Sequence, residues 1–149
     1  MVKATRKKTR KLKKQRGGQS ALVVQFKGKS ANGSVFSKNL TKHAPSVSYK
    51  GSGLYTLLMW DPDAPAKSWL HWMVINAEEA DIKRGDEILS YTPPSPPSGT
   101  HRYYVSLYSQ KGPIQLDEKP SERGYFNVDA FVQEHQLLKV GEAMIQATS

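Results

Sequence analysis

The sequence has 149 residues, of which 38% are hydrophobic, and this suits one globular domain with a modest core and leaves no room for a second. It contains no cysteine, which excludes disulfide frameworks and thiolate metal sites and favours a reducing compartment. The formal charge is +9. No apolar run approaches the roughly 20 residues that span a bilayer, and Met1 is followed by charged residues. We therefore expect a soluble, intracellular protein without a transmembrane segment.

The excess positive charge lies in an amino-terminal tail, residues 1–20. Between residues 3 and 16 there is no acidic residue and there are nine basic ones: Lys3, Arg6, Lys7, Lys8, Arg10, Lys11, Lys13, Lys14 and Arg16. The remaining chain holds 13 basic and 13 acidic residues and is formally neutral. Such a block of like charge repels itself and buries too little surface to offset its ordering entropy. We therefore expect a disordered tail, a hinge at Gly17-Gly18 and a folded domain over residues 21–149.

Three interpretations of the tail stay open. Runs of lysine and arginine release counterions from phosphate backbones, which favours a nuclear-targeting or nucleic-acid-binding arm. The same charge attracts anionic membrane surfaces, but no amphipathic apolar face accompanies it. The third interpretation is a solubilising extension. The first implies a cytoplasmic or nuclear protein, or a component of a viral particle or ribonucleoprotein.

Beyond the tail, short apolar runs broken by Gly, Pro, Asn and Ser predict a β-rich domain. The predicted strands cover residues 21–26, 34–36 (a weaker run), 47–49, 54–60, 71–76, 102–108 and 143–148. The run 54–60 is almost continuously apolar, which predicts a central strand buried on both faces. One short helix is predicted, capped by Asn127 or Asp129 and running toward Leu138.

The first polar motif, Asp61-Pro62-Asp63-Ala64-Pro65, follows the central strand. Its prolines fix φ and remove two ladder donors, so the chain must turn and display both carboxylates. For Asp63 we favour acceptance of backbone N–H groups in an Asx-type turn. For Asp61 we favour a place in a pocket.

Two histidines, His71 and His101, stand at the amino ends of predicted strands beside prolines and aromatic residues. A lone histidine is usually a satisfied structural residue, but two in such settings favour a shared pocket. A metal site with Asp61 is the rival interpretation. It is disfavoured because no His-x-x-x-His or comparable spacing exists and no cysteine can contribute, so neither a metal nor another cofactor is expected.

An ordered set of short matches resembles the phosphatidylethanolamine-binding proteins, a family that includes the Raf kinase inhibitor protein, plant flowering regulators and small bacterial members. The matches run over residues 21–148 and are strongest from 54 to 108. They are Tyr55-Thr56-Leu57, Asp61-Pro62-Asp63-Ala64-Pro65, Trp69, His71-Trp72, Val74-Ile75-Asn76, Gly85, Tyr91, Pro96-Pro97, Gly99-Thr100-His101-Arg102-Tyr103 and Leu107-Tyr108. The short link between the proline pair and His101 is similar to that of the compact bacterial and archaeal members.

The resemblance implies a mainly β fold, with a large central antiparallel sheet, a smaller second sheet and one or two short peripheral helices. It also implies a pocket for phosphate, acetate or a phosphorylated head group. By the resemblance the pocket residues are Asp61, His71, His101 and Tyr103, with Pro96 and Pro97 at the rim and Trp69 near the entrance. Family members have a cis peptide near residues 67–69, and a cis bond at Ala64-Pro65 is the one that the sequence itself makes plausible. Animal members close the pocket with a carboxyl-terminal helix that this sequence lacks, so we expect a more open site.

The residue chemistry agrees with that pocket. A protonated imidazole and a phenol donate to anionic oxygens, while a carboxylate orients a histidine or accepts from an ammonium group. Catalysis is disfavoured because none of the nearby hydroxyls, those of Ser68, Ser95, Ser98 and Thr100, lies in a Gly-x-Ser-x-Gly elbow.

The expected function is thus a non-enzymatic binding module, inhibitor-like toward a kinase or protease, that regulates a protein partner. The alternative is a nucleic-acid-associated or assembly component that acts through the tail and has a vestigial pocket.

Overall fold

The computed structural model describes residues 22–149, so the predicted basic tail lies outside the described residues. The strands are β1 Val23–Phe26, β2 Lys29–Ser30, β3 Ser46–Ser48, β4 Tyr55–Asp61, β5 Trp69–Ala77, β6 Asp86–Leu89, β7 Thr100–Ser109 and β8 Leu138–Thr148. The helices are α1 Lys38–Thr41, a 3-10 turn Ile82–Arg84, and α2 Val128–Glu134. In the part of the chain described, no helix is long and apolar enough to cross a membrane.

The large sheet has five antiparallel strands in the order β6-β5-β4-β7-β8, and the small sheet has the order β2-β1-β3. The predicted fold class is therefore confirmed. The central strand is β4, in which Leu57, Leu58 and Met59 are completely buried. Its continuous apolar run is explained by burial on both faces, as the sequence predicted.

Each face of the large sheet supports a separate core. On one face, Val24 and Phe26 of the small sheet pack against Leu57 and its neighbours. On the other face, Phe131 of α2 packs with Leu58. The helix begins where the sequence predicted, because the Asn127 side chain accepts the Ala130 N–H at 2.9 Å. It ends at Glu134, short of the predicted Leu138.

Three elements differ from the sequence-based expectation. The weak run 34–36 forms no regular strand: Val35 makes only an isolated parallel bridge to Gln146, at the edge of β8. Strand β8 begins at Leu138, five residues before the predicted start, because it pairs with β7 from Ser109 to Thr100. The unpredicted β6 is a short edge strand, and its two acidic residues are typical of protected sheet edges.

The turn between β4 and β5 also differs from the expectation. No peptide bond among residues 22–149 is cis, so the cis bonds implied at Ala64-Pro65 and near residues 67–69 are absent. The chain reverses here through Ser68, whose φ of 61° lies in the left-handed region.

Candidate anion-binding site

A β-bulge in β5 decides where His71 lies. Met59 pairs with Trp72 and Trp60 pairs with Leu70, so His71 is the extra residue between two paired positions. Side chains normally alternate across a strand, and the bulge interrupts that alternation. The His71 ring consequently shares a face with Trp72 and lies 5.1 Å from the Tyr103 ring, in an edge-on arrangement. The sequence gives no signal for this bulge.

The last residue of β4 and the second residue of β7 form a buried pair. Asp61 is 2% exposed and His101 is 7% exposed. The His101 Nδ1 lies 2.7 Å from Asp61 Oδ2, and the other oxygen of Asp61 accepts the Asp63 N–H at 2.7 Å. Because a carboxylate only accepts, His101 carries its proton on Nδ1 and keeps Nε2 for a ligand.

His71 has the same tautomer for a different reason. Its Nδ1 lies 2.7 Å from the Thr92 carbonyl oxygen, which only accepts, so Nδ1 is the donor. Burial lowers the pKa of His71 below its usual value, and the Thr92 carbonyl and the Asp61 carboxylate oppose that shift only partly. His71 is therefore neutral at pH 7 and its Nε2 is an acceptor.

The Tyr103 ring lies beside both imidazoles. Its side chain is 1% exposed, and its ring lies 6.4 Å from the His101 ring in a stacked arrangement. Burial, and then the nearby Asp61 carboxylate, raise the pKa of Tyr103 above its usual value. The phenol stays protonated across the physiological range and can donate to an anion.

These groups meet in one cavity of about 370 Å³. Its lining includes all seven residues singled out in the sequence, together with Ala64, Pro65, Ala66, Thr92, Pro93 and Ser95. Pro96 is buried and Pro97 is exposed, so the proline pair forms part of the rim. A larger cavity of about 660 Å³ beside β3 has neither histidine nor tyrosine in its lining.

Asp63 has a different role from the one expected. The Asx-type turn belongs to Asp61, whereas Asp63 accepts from Arg102 Nε at 2.9 Å, Arg102 Nη2 at 2.8 Å and the Arg102 backbone N–H at 2.9 Å. These hydrogen bonds lower the pKa of Asp63 to about 2. Since Asp63 follows Asp61 and Arg102 follows His101, this clamp holds the buried pair in register.

Arg123 is a site residue that the sequence did not reveal. Its Nη1 donates to the carbonyls of Leu70 at 3.2 Å and His71 at 3.0 Å, and its Nη2 donates to that of Ser90 at 2.9 Å. Its guanidinium also lies 5.5 Å from the Trp69 ring centroid. Arg123 thus joins the start of β5 to the segment that leads to Thr92, and so positions both partners of the His71 hydrogen bond.

The only sequence signal for Arg123 is its neighbour, Gly124. A Cβ atom at Gly124 would lie 2.8 Å from the Ala66 Cβ, so only glycine permits this close approach. The approach lets Leu70 N–H donate to the Arg123 carbonyl at 2.8 Å.

Neither the metal nor the hydroxyl chemistry considered above finds further support in the geometry. Across residues 22–149 no group of three or more His, Asp or Glu side chains is placed to hold a metal ion. Ser95 lines the cavity, but in that same range neither imidazole is hydrogen-bonded to a serine or threonine hydroxyl. The nine basic tail residues lie outside the described range.

Comparison with known proteins gives a consistent result. The family described as Phosphatidylethanolamine-binding protein matches residues 14–148. Protein MOTHER of FT and TFL1 homolog 2 from Oryza sativa subsp. japonica is 38% identical over 119 residues, which are 72% of this chain and 68% of that protein. The chain spans between 58% and 68% of the length of the curated relatives that it matches.

Two solved structures share the fold at low sequence identity. A carboxypeptidase Y inhibitor, crystallised with its cognate proteinase, has a TM-score of 0.75 and 18% identity, with 86% of this chain and 82% of the inhibitor chain covered. The phosphatidylethanolamine-binding protein from Plasmodium vivax has a TM-score of 0.70 and 22% identity, with 85% and 84% covered. With the family match over residues 14–148, these comparisons show that the chain belongs to the phosphatidylethanolamine-binding protein family.

Proposed function

We propose that this protein is a non-enzymatic binding module for a small anion, a phosphate or a phosphorylated head group, and that it regulates a protein partner. One observation carries the proposal: both imidazoles commit Nδ1 to fixed acceptors, Asp61 for His101 and Thr92 for His71. Each Nε2 is left for a ligand, and Tyr103 supplies a hydroxyl donor in the same cavity.

The size of the cavity suits a small ligand. Ligand pockets usually have volumes of about 300–1,000 Å³, and this one, at about 370 Å³, is near the lower end. It accommodates a phosphoryl group with a short substituent. The lining prolines Pro65, Pro93, Pro96 and Pro97 have restricted backbones, so the walls are largely formed before a ligand arrives.

Binding is expected to bring a proton to His71. Tyr103 donates to an anionic oxygen, but a neutral His71 presents a lone pair that repels one. The negative charge of the ligand favours the protonated ring and so raises the pKa of His71 in the complex. An anion therefore binds together with one proton, unless the anion itself carries an O–H that donates to Nε2.

The buried pair of His101 and Asp61 resembles a general base with its orienting carboxylate. A nucleophile for that base is not positioned, because within residues 22–149 neither imidazole is hydrogen-bonded to a serine or threonine hydroxyl. This favours ligand recognition over acyl or phosphoryl transfer. In recognition, Asp61 fixes the tautomer and orientation of His101.

The regulatory part of the proposal is supported by the fold. The carboxypeptidase Y inhibitor that shares it was crystallised with a proteinase, which supports a protease as the class of partner. The family resemblance adds a kinase as the other class that we propose. A bound anion would couple to such an interface through the rim formed by Pro96 and Pro97.

Titration of inorganic phosphate and phosphoethanolamine into the full chain tests the pocket. Both ligands should shift the NMR signals of His71 and His101, and His101→Gln should weaken binding by about tenfold, because the hydrogen bond at its Nε2 is lost. His43→Gln is the matched control, since His43 is exposed and outside the cavity lining. The proposal is wrong if neither ligand moves either histidine signal.

A second candidate function rests on the tail alone. Nine basic residues without an acid between residues 3 and 16 favour association with nucleic acid, with the pocket vestigial. A variant that begins at Gln19 should then lose DNA and RNA retention but keep any thermal stabilisation by phosphate. Retention that does not weaken steeply with salt would contradict this function.

A further inference from the structure

The folded domain, residues 21–149, is formally neutral, but its basic and acidic residues are unevenly distributed along the chain. Residues 22–60 contain no aspartate or glutamate and five lysines: Lys27, Lys29, Lys38, Lys42 and Lys50. The first acidic residue of the whole sequence is Asp61. The small sheet and α1 lie entirely within this acid-free segment. The domain therefore presents a lysine-only layer beside the rest of the fold, which carries all the acidic residues.

A groove lined by part of that layer lies next to the anion pocket. This second cavity, of about 510 Å³, is lined by Lys38, Asn39, Lys42, Thr92, Pro93, Pro94 and Ser95, and we call it the lysine groove. Thr92, Pro93 and Ser95 also line the anion pocket. The groove and the pocket therefore lie on two sides of one short proline-containing ridge.

The lysines of the groove are available for a ligand. Lys38 and Lys42 are exposed. Lys27 lies beside α1, because its Nζ donates to Asn39 Oδ1 at 3.3 Å. Every ion pair within residues 22–149 involves other basic residues. These three ammonium groups thus have no carboxylate partner in the part of the chain that the structure describes.

The groove is held at a fixed offset from the pocket. The Tyr91 hydroxyl donates to the Thr41 carbonyl at 2.6 Å, which ties the end of α1 to the residue before Thr92. At the other end of the helix, Ser37 Oγ accepts the Leu40 N–H at 3.3 Å. Thr92 in turn accepts from His71. A short chain of hydrogen bonds therefore connects the lysine-bearing helix to the imidazole of the pocket.

We propose that the lysine groove binds an acidic peptide segment of a protein partner, one whose phosphoryl group occupies the anion pocket. This inference rests on the proposed function of that pocket. Lys38 and Lys42 supply charge complementary to glutamate or aspartate side chains, and the Pro93 and Pro94 rings supply apolar contacts for a peptide backbone. No aromatic ring or arginine lines this cavity, so it lacks the stacking surface on which single-stranded nucleic acids depend.

The test compares two synthetic peptides titrated into the full chain. One has phosphoserine between two runs of three glutamates, and the other has glutamines in place of the glutamates. Exposed ion pairs are individually weak, so two of them should make the acidic peptide bind about fivefold more tightly. The double variant Lys38→Gln/Lys42→Gln should remove most of that preference and leave the affinity for inorganic phosphate unchanged.

The matched control is Lys29→Gln/Lys50→Gln, which has the same net charge but alters lysines outside the groove lining. It should keep the preference for the acidic peptide. An equal loss in both double variants would overturn the proposal, since it would indicate attraction to the whole basic layer and tail. Equal affinity of the unaltered protein for the two peptides would also overturn it.

Other occupants are distinguished by further titrations. The binding of an RNA oligonucleotide and of a phosphatidylserine vesicle is measured with the same variants. If either binding depends on Lys38 and Lys42 more strongly than peptide binding does, the groove belongs to that partner and the proposal is wrong. If inorganic phosphate does not bind at all, the pocket function and this inference fail together. If phosphate binds and the two peptides do not differ, the groove inference fails alone.

Discussion

Anion binding at this site should consume a proton, and His71 is the group that takes it up. Burial places the His71 pKa below its usual value of about 6.5, with its Nδ1 proton held by Thr92. A bound anion beside Nε2 favours the imidazolium. At pH values between the His71 pKa of the free protein and that of the complex, each increase of one pH unit should therefore weaken binding by a factor of about ten, or about 1.4 kcal/mol.

Sulfate is the appropriate probe, because its own charge stays constant between about pH 5.5 and 8. Calorimetric titration over that range, in buffers of different ionisation enthalpy, should give an uptake that approaches one proton at a pH between the His71 pKa of the free protein and that of the complex. His71→Gln should abolish the proton uptake and flatten the pH profile, and His43→Gln should change neither. An affinity for sulfate that is independent of pH, or an NMR titration of His71 with a pKa above the usual value in the free protein, would refute the reasoning.

Three other perturbations have defined outcomes. Arg123→Met should raise the pKa of His71 in an NMR titration, because the Arg123 charge lowers it, whereas Arg123→Lys should not. Asp63→Asn should cost about 1 kcal/mol in chemical denaturation, a value discounted because the pair with Arg102 is solvent-exposed. The pKa of Asp63 is lowered to about 2, so this contribution is present above about pH 4 and is lost as the pH falls toward 2. Leu57→Ala should cost about 2–5 kcal/mol, because Leu57 is completely buried.

The parts of the fold that the sequence predicted are those with a strong local signal. Strand β4 was predicted as central because seven consecutive residues, 54–60, are almost all apolar and require burial on both faces. The helix α2 was predicted from two candidate caps, Asn127 and Asp129, of which the structure uses Asn127. By contrast, β2 has two residues and β6 is a charged edge, so neither has enough apolar pattern to be recognised.

The site shows the same division. Asp61, His71 and His101 were singled out because prolines and aromatic residues surround them, and Tyr103 was added by the family resemblance. The role of Arg123 was not predictable, because its three carbonyl acceptors belong to segments 33 to 53 residues away in sequence. The charge separation was missed for another reason: 13 basic and 13 acidic residues cancel when they are counted over the whole body.

The convergence of these residues follows from antiparallel pairing. Asp61 ends β4, Trp69 begins β5 and Thr100 begins β7. Because β5 and β7 both run antiparallel to β4, all three positions lie at one end of the sheet. Prolines before and after these positions prevent the ladder from continuing and leave space there for a ligand.

The bulge in β5 adds the last component, since it turns His71 toward this space at the one point where its Nδ1 can reach the Thr92 carbonyl. Both imidazoles are thus oriented by the folded chain before any ligand binds. Because no ring has to be reoriented on binding, the affinity for an anion should depend on protonation more than on rearrangement. For this reason the pH profile is a sharper test of the site than the loss of binding in any single variant.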